Sequence, residues 1–254
     1  MSIRLAPAPP AGGRTAPGPV HRSIVAVDLE RSTARTNPER GELRRVLYAL
    51  LDRALRETGI APEHREEPVD RGDGALILIR PDDALPKTLL LGRLIPTLAA
   101  LLAEHNAAAA APELRMRVRA VVHAGEVHSD DWGFYGEDLD LAFRLLDAPP
   151  VKRALREAAA APLVLVVSQE IFTAIVRHGY LRPHGYEPLV HVRVADRRDR
   201  GWVRVPVPVP PGSAPVAARR PALEAGRRAS AAGPQPVPPT GPRPLPAAAL
   251  ERTE

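Results

Sequence analysis

Apolar residues recur at regular spacings through the middle of the chain and predict an alternation of strands and helices. Over Pro38–Gly59 they return every three or four positions with arginines between them, which is typical of an amphipathic helix. The leucines of Pro86–Asn106 have the same spacing and predict a second helix. The short apolar runs Ser23–Leu29, Ala75–Ile79 and Leu163–Val167 predict strands.

Polar segments between these elements predict an edge strand, a turn and a loop. Leu114–Val122 first alternates strictly, with three arginines on one side, and predicts a strand with one buried face. Glu63–Asp70 predicts a polar edge strand, and the tight turn Arg71–Gly74 joins it to the following strand as a hairpin. His123–Gly136 contains three glycines and two adjacent aspartates, so we expect an irregular excursion there.

The remaining elements complete the predicted fold. Helices are expected at Asp138–Leu146, 150–159 and Ser168–His178, and strands at Pro188–Val194 and Trp202–Val207. The order β-α-β-β-α-β, followed by further helices and strands, is that of the split βαβ, ferredoxin-like arrangement. We therefore predict an α/β (α+β) fold in which residues 22–207 form one domain, with an antiparallel core sheet and helices packed on one of its faces.

Proline is concentrated at the two ends of the chain. Residues 1–21 hold five prolines and residues 206–254 hold thirteen of the 30 in the sequence, and neither segment contains Phe, Trp or Tyr. Such Pro/Ala/Gly-rich segments cannot bury enough apolar surface to offset the loss of chain entropy. We therefore expect disordered tails at 1–21 and 208–254.

Charge and composition exclude several classes of protein. The end segments carry the whole formal net charge of +5, and a neutral domain argues against specific nucleic-acid binding. The absence of cysteine excludes disulfides, thiolate metal sites and cysteine nucleophiles. The longest apolar stretch, Leu89–Leu102, is interrupted by Gly92, Arg93 and Pro96, and the N-terminus has no signal-peptide core. We therefore expect a cytoplasmic protein without a membrane span.

Two aspartates stand where predicted strands give way to turns. Asp28 ends the first strand, and Asp73 lies at the bend of the hairpin. Because these elements are neighbours in a split βαβ sheet, both carboxylates could converge on one hard cation such as Mg²⁺. Proteins commonly hold Mg²⁺ by one or two carboxylates plus phosphate oxygens. The alternative is that Asp28 caps a turn and Asp73 is an ordinary turn residue.

Four segments resemble, in the right order, the motifs of class III nucleotide cyclases. Val25–Thr33 resembles the first metal motif, in which an apolar strand ends in Asp, and Gly72–Asp73 matches the Gly-Asp that follows at a hairpin bend. Val118–Val127 resembles the strand that ends in His-x-Gly-Glu, and Gly136–Leu145 resembles the helix that carries an Asn and an Arg. The resemblance spans residues 22–145, and the remaining strands fit the rest of that domain.

The resemblance implies a role for each matching residue. Asp28 and Asp73 would bind two Mg²⁺ or Mn²⁺ ions that activate the ribose 3′-hydroxyl of a nucleoside triphosphate for attack on its α-phosphate, with loss of pyrophosphate. Arg144 would stabilise charge on the reacting phosphate, and Asp140, one turn earlier, stands at the position of the ribose-orienting Asn. The substrate-binding loop would include Leu29, Ser32 and Thr33. In this family the catalytic site is shared between two chains, which implies a homodimer.

Three departures from the family pattern keep other functions open. Asp140 replaces the Asn, no lysine stands near Val69 where the purine-recognising lysine is expected, and Glu30–Arg31 replaces a small glycine. The alternative is a catalytically silent cyclase-like module that binds nucleotide or a protein partner in signalling. A third interpretation is a scaffold with Pro/Arg-rich docking tails. For Arg144 itself, the alternative is a surface ion pair with Asp140 or Asp147.

Two further clusters carry weaker signals. His123 and His128 are ligand types by chemistry, but their spacing matches no standard metal site. Trp132, Phe134 and Tyr135 stand together, and we expect hairpin packing or a dimer contact there rather than a platform for stacking bases.

Overall fold

The computed structural model describes residues 18–181 and 185–206, so the predicted tails lie outside these ranges except at residues 18–21, where Val20 and His21 belong to the first strand rather than to a tail. The strands are β1 (Val20–Leu29), β2 (Val69–Asp70), β3 (Gly74–Ile79), β4 (Val118–Asp130), β5 (Gly133–Tyr135), β6 (Leu163–Ser168), β7 (Glu187–Val194) and β8 (Arg197–Arg204). The helices are α1 (Asn37–Glu57), α2 (Lys87–Ala108), α3 (Glu137–Asp147), α4 (Pro149–Glu157) and α5 (Gln169–Ala174).

The strands form one sheet in the order β2-β3-β1-β4-β6-β8-β7, and β5 pairs with the end of β4. β1 is antiparallel to both of its neighbours, β3 and β4. The order β2-β3-β1-β4 is that of the predicted split βαβ sheet, which is confirmed. The sheet is mixed rather than wholly antiparallel, because β4 and β6 are parallel and the helices α3 and α4 make the crossover between them.

Helices cover both faces of the sheet, so the prediction that they lie on one face is wrong. Along β1, Val25 and Val27 pack into a core with α1, α2 and α5, whereas Ile24 and Ala26 pack into a second core with α3 and α4. A strand that is buried on both faces has an uninterrupted apolar run, because neither face needs polar side chains. The segment Ile24–Val27 has that pattern.

β4 continues well beyond its predicted end. It runs on to Asp130 and turns back through β5, so the predicted irregular excursion at His123–Gly136 is largely a hairpin. β1 supports this continuation, since the two strands pair from Leu29 and Val118 as far as Val20 and Val127. The glycines of the segment therefore lie mainly within strands and at a turn.

The predicted edge strand Glu63–Asp70 is also mostly wrong. Only its last two residues form β2, and a single 3₁₀ turn at Pro62–His64 precedes it. Pro62 has the fixed φ angle that suits the first position of such a turn, and it has no N–H to donate to a sheet. The following turn and β3 agree with the prediction.

α2 passes Pro96 without ending. A π-helical segment at Leu90–Leu94 ends two residues before this proline and accommodates a residue that lacks a backbone N–H. Within the described part of the chain, α2 is the one helix whose length and composition would allow it to cross a membrane, but 56% of its apolar window is buried inside the protein. Its packing is that of a core helix.

The hairpin bend lies directly against the end of β1. Gly74 is opposite Asp28 in the strand register, and a Cβ atom at this position would stand 2.1 Å from the carbonyl oxygen of Val27. Only glycine fits here without forcing the two strands apart. This close approach sets the positions of the two aspartates predicted to act together.

Candidate functional site

The sheet brings Asp28 and Asp73 to adjacent strand ends. Asp28 is the second-last residue of β1, and Asp73 immediately precedes β3. The Leu29 amide donates a hydrogen bond of 2.9 Å to the Asp73 carbonyl, so the backbone itself joins the two positions. The predicted neighbourhood of the two acids is therefore present.

Asp28 has one satisfied and one unsatisfied carboxylate oxygen. Its Oδ2 accepts a hydrogen bond from Arg119, the residue opposite it on β4. Its Oδ1 is buried and has no hydrogen-bond partner among the described residues. Burial raises the pKa of Asp28, the charge of Arg119 opposes that rise, and the nearby charge of Asp73 adds to it. A second positive charge beside Asp28 would therefore be favourable.

The loop after β1 holds Asp73 from the other side. The buried Ser32 hydroxyl donates to Asp73 Oδ2. Arg31, just before it, has a left-handed backbone with φ of 55°, a conformation that costs a residue with a Cβ about 1 kcal/mol. The loop thus has the left-handed backbone that a glycine would adopt more easily, even though Glu30 and Arg31 replace the glycine of the family pattern.

A second set of residues fixes the turn that carries Asp73. The Asp70 carboxylate accepts hydrogen bonds from both terminal nitrogens of Arg44, at 2.9 and 2.8 Å, and from the Tyr48 hydroxyl at 3.1 Å. It also accepts from the Gly72 amide at 2.9 Å. The hydrogen bonds from Arg44 are the main cause that holds the pKa of Asp70 well below its usual range. Sequence reasoning missed this pair because α1 and the turn are distant along the chain.

We call the depression beside these residues the loop cavity. Its volume is about 330 Å³. It is lined by Leu29, Glu30, Arg31, Ser32, Thr33, Asp73, Arg119, Lys152, Leu155 and Arg156. The predicted substrate-binding residues therefore share one cavity with Asp73. Asp28 is not part of the lining, but it contacts Arg119, which is.

Asp140 and Arg144 line a different depression, which we call the α3 cavity. Its volume is about 620 Å³, and Arg71 also lines it, with its guanidinium 4.0 Å from the centre of the Phe143 ring. Arg144 is exposed and makes no ion pair with any described residue, and Asp147 pairs with Lys152 instead. The structure therefore shows neither of the ion pairs considered as alternatives for Arg144.

A buried polar network positions the helix that carries Asp140 and Arg144. His123 is fully buried, with its Nδ1 2.7 Å from the Ser168 hydroxyl and its Nε2 3.2 Å from Asp138 Oδ1. Asp138 also accepts from Arg197 at 2.8 Å and from the Glu126 amide at 2.7 Å. The first turn of α3 is thus tied to three strands, β4, β6 and β8.

The same network accounts for the glycine at position 125, and each of the two histidines has a contact inside the protein. A Cβ atom at Gly125 would stand 2.0 Å from Asp138 Oδ2, so the glycine makes room for that carboxylate. Both nitrogens of His123 have partners inside the protein, and His128 stacks on Tyr135 with 5.2 Å between ring centres. No group of three metal-binding side chains occurs among the described residues.

The aromatic residues of the β4–β5 hairpin divide between packing and exposure. Phe134 packs against the core that contains α3, and Tyr135 makes the stack described above. Trp132 lies at the turn and is 85% exposed. The predicted packing within the hairpin is seen for Tyr135, which stacks on its cross-strand partner His128, whereas Phe134 packs against the core and the large apolar surface of Trp132 has no cover within the described chain.

The Asp138 network predicts a pH-dependent loss of stability in the Asp138→Asn variant. The hydrogen bond from His123 is the first cause of the lowered pKa of Asp138. A lowered folded pKa stabilises the protein fully above the unfolded pKa, about 3.9, and that stabilisation is lost progressively as the pH falls from there through the folded pKa. We expect the variant to be less stable by about 2 kcal/mol at pH 7, where charge-assisted hydrogen bonds are lost, with a smaller difference at pH 3.

Urea denaturation at the two pH values measures this difference. Asp131→Asn is the matched control, because Asp131 is exposed and makes no hydrogen bond or ion pair with any described residue. A difference for Asp138→Asn that is the same at both pH values, or that is no larger than in the control, would contradict the assigned network.

The fold matches solved structures of nucleotide cyclases. No protein-family model and no curated protein matches the sequence. The guanylyl cyclase Cya2 is similar in structure with a TM-score of 0.54 at 15% identity, and the match covers 76% of this chain and 95% of that chain. An adenylate/guanylate cyclase/hydrolase from Silicibacter pomeroyi gives 0.53 at 17% identity, covering 74% and 98%. The guanylate cyclase domain of RhGC from Catenaria anguillulae, in complex with GTP, gives 0.51 at 13% identity, covering 74% and 98%. The chain therefore has the fold of a class III nucleotide cyclase catalytic domain.

Proposed function

We propose that this protein is a nucleotide cyclase that depends on a divalent metal and converts a ribonucleoside triphosphate to a cyclic mononucleotide and pyrophosphate. The observation that carries the proposal is the pair Asp28 and Asp73 at adjacent strand ends, beside a loop cavity with several cationic side chains. The cyclase fold and the GTP bound to a structural neighbour support it.

Asp28 and Asp73 would hold Mg²⁺ or Mn²⁺ in a two-metal site. The buried Oδ1 of Asp28 fits such a cation, because it has no hydrogen bond to lose. Bound metal would neutralise phosphate charge and lower the pKa of the attacking ribose hydroxyl. The protein's part is to hold the acids in place: Ser32 fixes the Asp73 carboxylate, and Arg119 fixes one oxygen of Asp28.

Arg144 and Asp140 would act on the substrate from another chain. They line the α3 cavity, whereas Asp73 lines the loop cavity, so one chain contributes two different half-sites. In a homodimer, each loop cavity would face the α3 cavity of the other chain, and the fixed fork of Arg144 would pair with the reacting phosphate. The substrate loop residues Leu29, Ser32 and Thr33 would lie along the triphosphate.

A catalytically silent module that binds nucleotide or a protein partner is the second candidate. It is favoured by Asp140, which places a negative charge in the α3 cavity where the cyclase motif that this helix resembles has a neutral Asn, and by the absence of a lysine near Val69. The two candidates share the fold and differ in turnover.

Turnover separates the two candidates. We expect the protein to form a cyclic product from at least one of the four ribonucleoside triphosphates with Mn²⁺, detected by mass spectrometry. Arg144→Lys keeps the positive charge but loses the planar guanidinium that can pair with two phosphate oxygens, and we expect it to lower kcat about a hundredfold or more. If the parent protein is dimeric by light scattering and forms no product from any of the four, the silent module replaces the enzyme.

Metal binding is measurable without knowledge of the substrate. We expect Mn²⁺ to stabilise the folded protein by about 2.7 kcal/mol when free metal exceeds its Kd a hundredfold, and most of that gain to disappear in Asp28→Asn and Asp73→Asn. Without metal, Asp28→Asn should lose little stability, because a charge that is disfavoured by burial is removed.

Thermal melts with chelator and with millimolar Mn²⁺ give the comparison. Asp83→Asn is the matched control, since Asp83 is exposed and has no ion pair within the described residues. A metal-dependent shift that survives in both site variants would show that the ion binds elsewhere.

A further inference from the structure

The helix α4 presents two cationic residues to the loop cavity. Lys152 and Arg156 are one turn apart on the same helical face, and both line the cavity. Val151 and Leu155 are fully buried on the neighbouring face, so the helix is anchored to the core that contains α3. The cationic pair is therefore carried by a fixed element.

Arg117 adds a second anchor at the end of α4. Its guanidinium donates to the carbonyl groups of Leu155, Ala158 and Ala161, the latter two at 3.1 Å. It also lies 3.4 Å from Glu30 Oε2. The negative charge of Glu30 is therefore balanced by a residue outside the cavity lining, and this reduces its repulsion of an anion inside.

The charges that remain in the loop cavity favour a polyanion. Of its four cationic lining residues, Arg119 is paired with Asp28 and Lys152 with Asp147. Arg31 and Arg156 make no ion pair with any described residue. The cavity thus combines several cationic groups with Asp73, a lining residue. Asp73 and the neighbouring Asp28 together favour a metal ion at that side of the cavity. A metal-bound polyphosphate brings both kinds of charge.

We propose that Lys152 and Arg156 bind the terminal phosphates of the substrate, and that this polyphosphate site is complete within a single chain. Naming the ligand as the triphosphate of a nucleotide rests on the proposed function. The predicted binding of inorganic tripolyphosphate does not rest on the proposed function. It requires only α4, the loop after β1 and the two acids, which all belong to one protomer. Lys152 has the further effect of joining the two cavities through its ion pair with Asp147.

Calorimetric titration of the full chain with tripolyphosphate and Mg²⁺ tests the site. Arg156→Gln and Lys152→Gln should each weaken binding about tenfold, which corresponds to the loss of one charge-assisted hydrogen bond. Arg153→Gln is the matched control: Arg153 is exposed on the same helix and does not line the loop cavity, so its loss should leave the affinity within about twofold. The tails are the same in all variants, so any binding to their arginines cancels.

Two results would overturn the inference. One is an Arg156→Gln protein that binds tripolyphosphate as tightly as the parent, and the other is an equal loss in Arg153→Gln, which would show attraction to general positive charge only. If tripolyphosphate binding depends on Lys152 and Arg156 but no cyclic product forms, this inference stands and the proposed function fails. If a cyclic product forms but tripolyphosphate binding is unchanged in the Lys152 and Arg156 variants, the proposed function stands and this inference fails.

Discussion

The pairing of β1 with both β3 and β4 is the constraint on which the rest of the structure depends. β1 is hydrogen-bonded along both edges and buried on both faces, so it cannot shift without disturbing two cores at once. Its register places Asp28 between Gly74 and Arg119. A carboxylate held there has lost much of its hydration, and Arg119 compensates only one of its oxygens. The neighbouring acid and the unsatisfied oxygen are what make a cation the favourable complement.

The second half of the candidate site is fixed by polar contacts. The first turn of α3 is tied to the sheet through buried His123, and its last residue, Asp147, is tied to α4 through Lys152. Arg144 lies between these two attachments with its side chain exposed. An arginine that is free at its tip but carried by a firmly held helix is suited to meet a group from outside the chain, as the proposed dimer requires.

The sequence predicted most of the fold because its signals are local. The apolar run of β1, the helical spacing of α1 and the turn at Asp73 can be recognised within short windows, and the split βαβ order follows from their sequence. The faces of the sheet were harder, since a continuous apolar strand had to be interpreted as buried on both sides. The length of β4 depends on pairing with the start of β1, which no window of β4 itself contains.

Without the cyclase resemblance, which supplied Asp140 and Arg144, the candidate site was predictable only where residue type and element end coincide. Asp28 and Asp73 stand at strand ends and could be selected on that ground. Arg119 could not, because β4 begins within a series of alternating arginines, and only the register shows which of them faces Asp28. Lys152 and Arg156 have the pattern of an ordinary solvated helix face, and their contribution depends on how α4 packs beside the loop.

Subunit complementation tests the central claim most directly. Asp73→Asn and Arg144→Lys would each be inactive alone, but a mixed dimer combines the intact acids of one chain with the intact arginine of the other. With free exchange of subunits, an equimolar mixture should recover about a quarter of the parent activity, because half of the dimers are mixed and each has one complete site. A mixture that exchanges subunits and stays inactive would contradict a site shared between two chains.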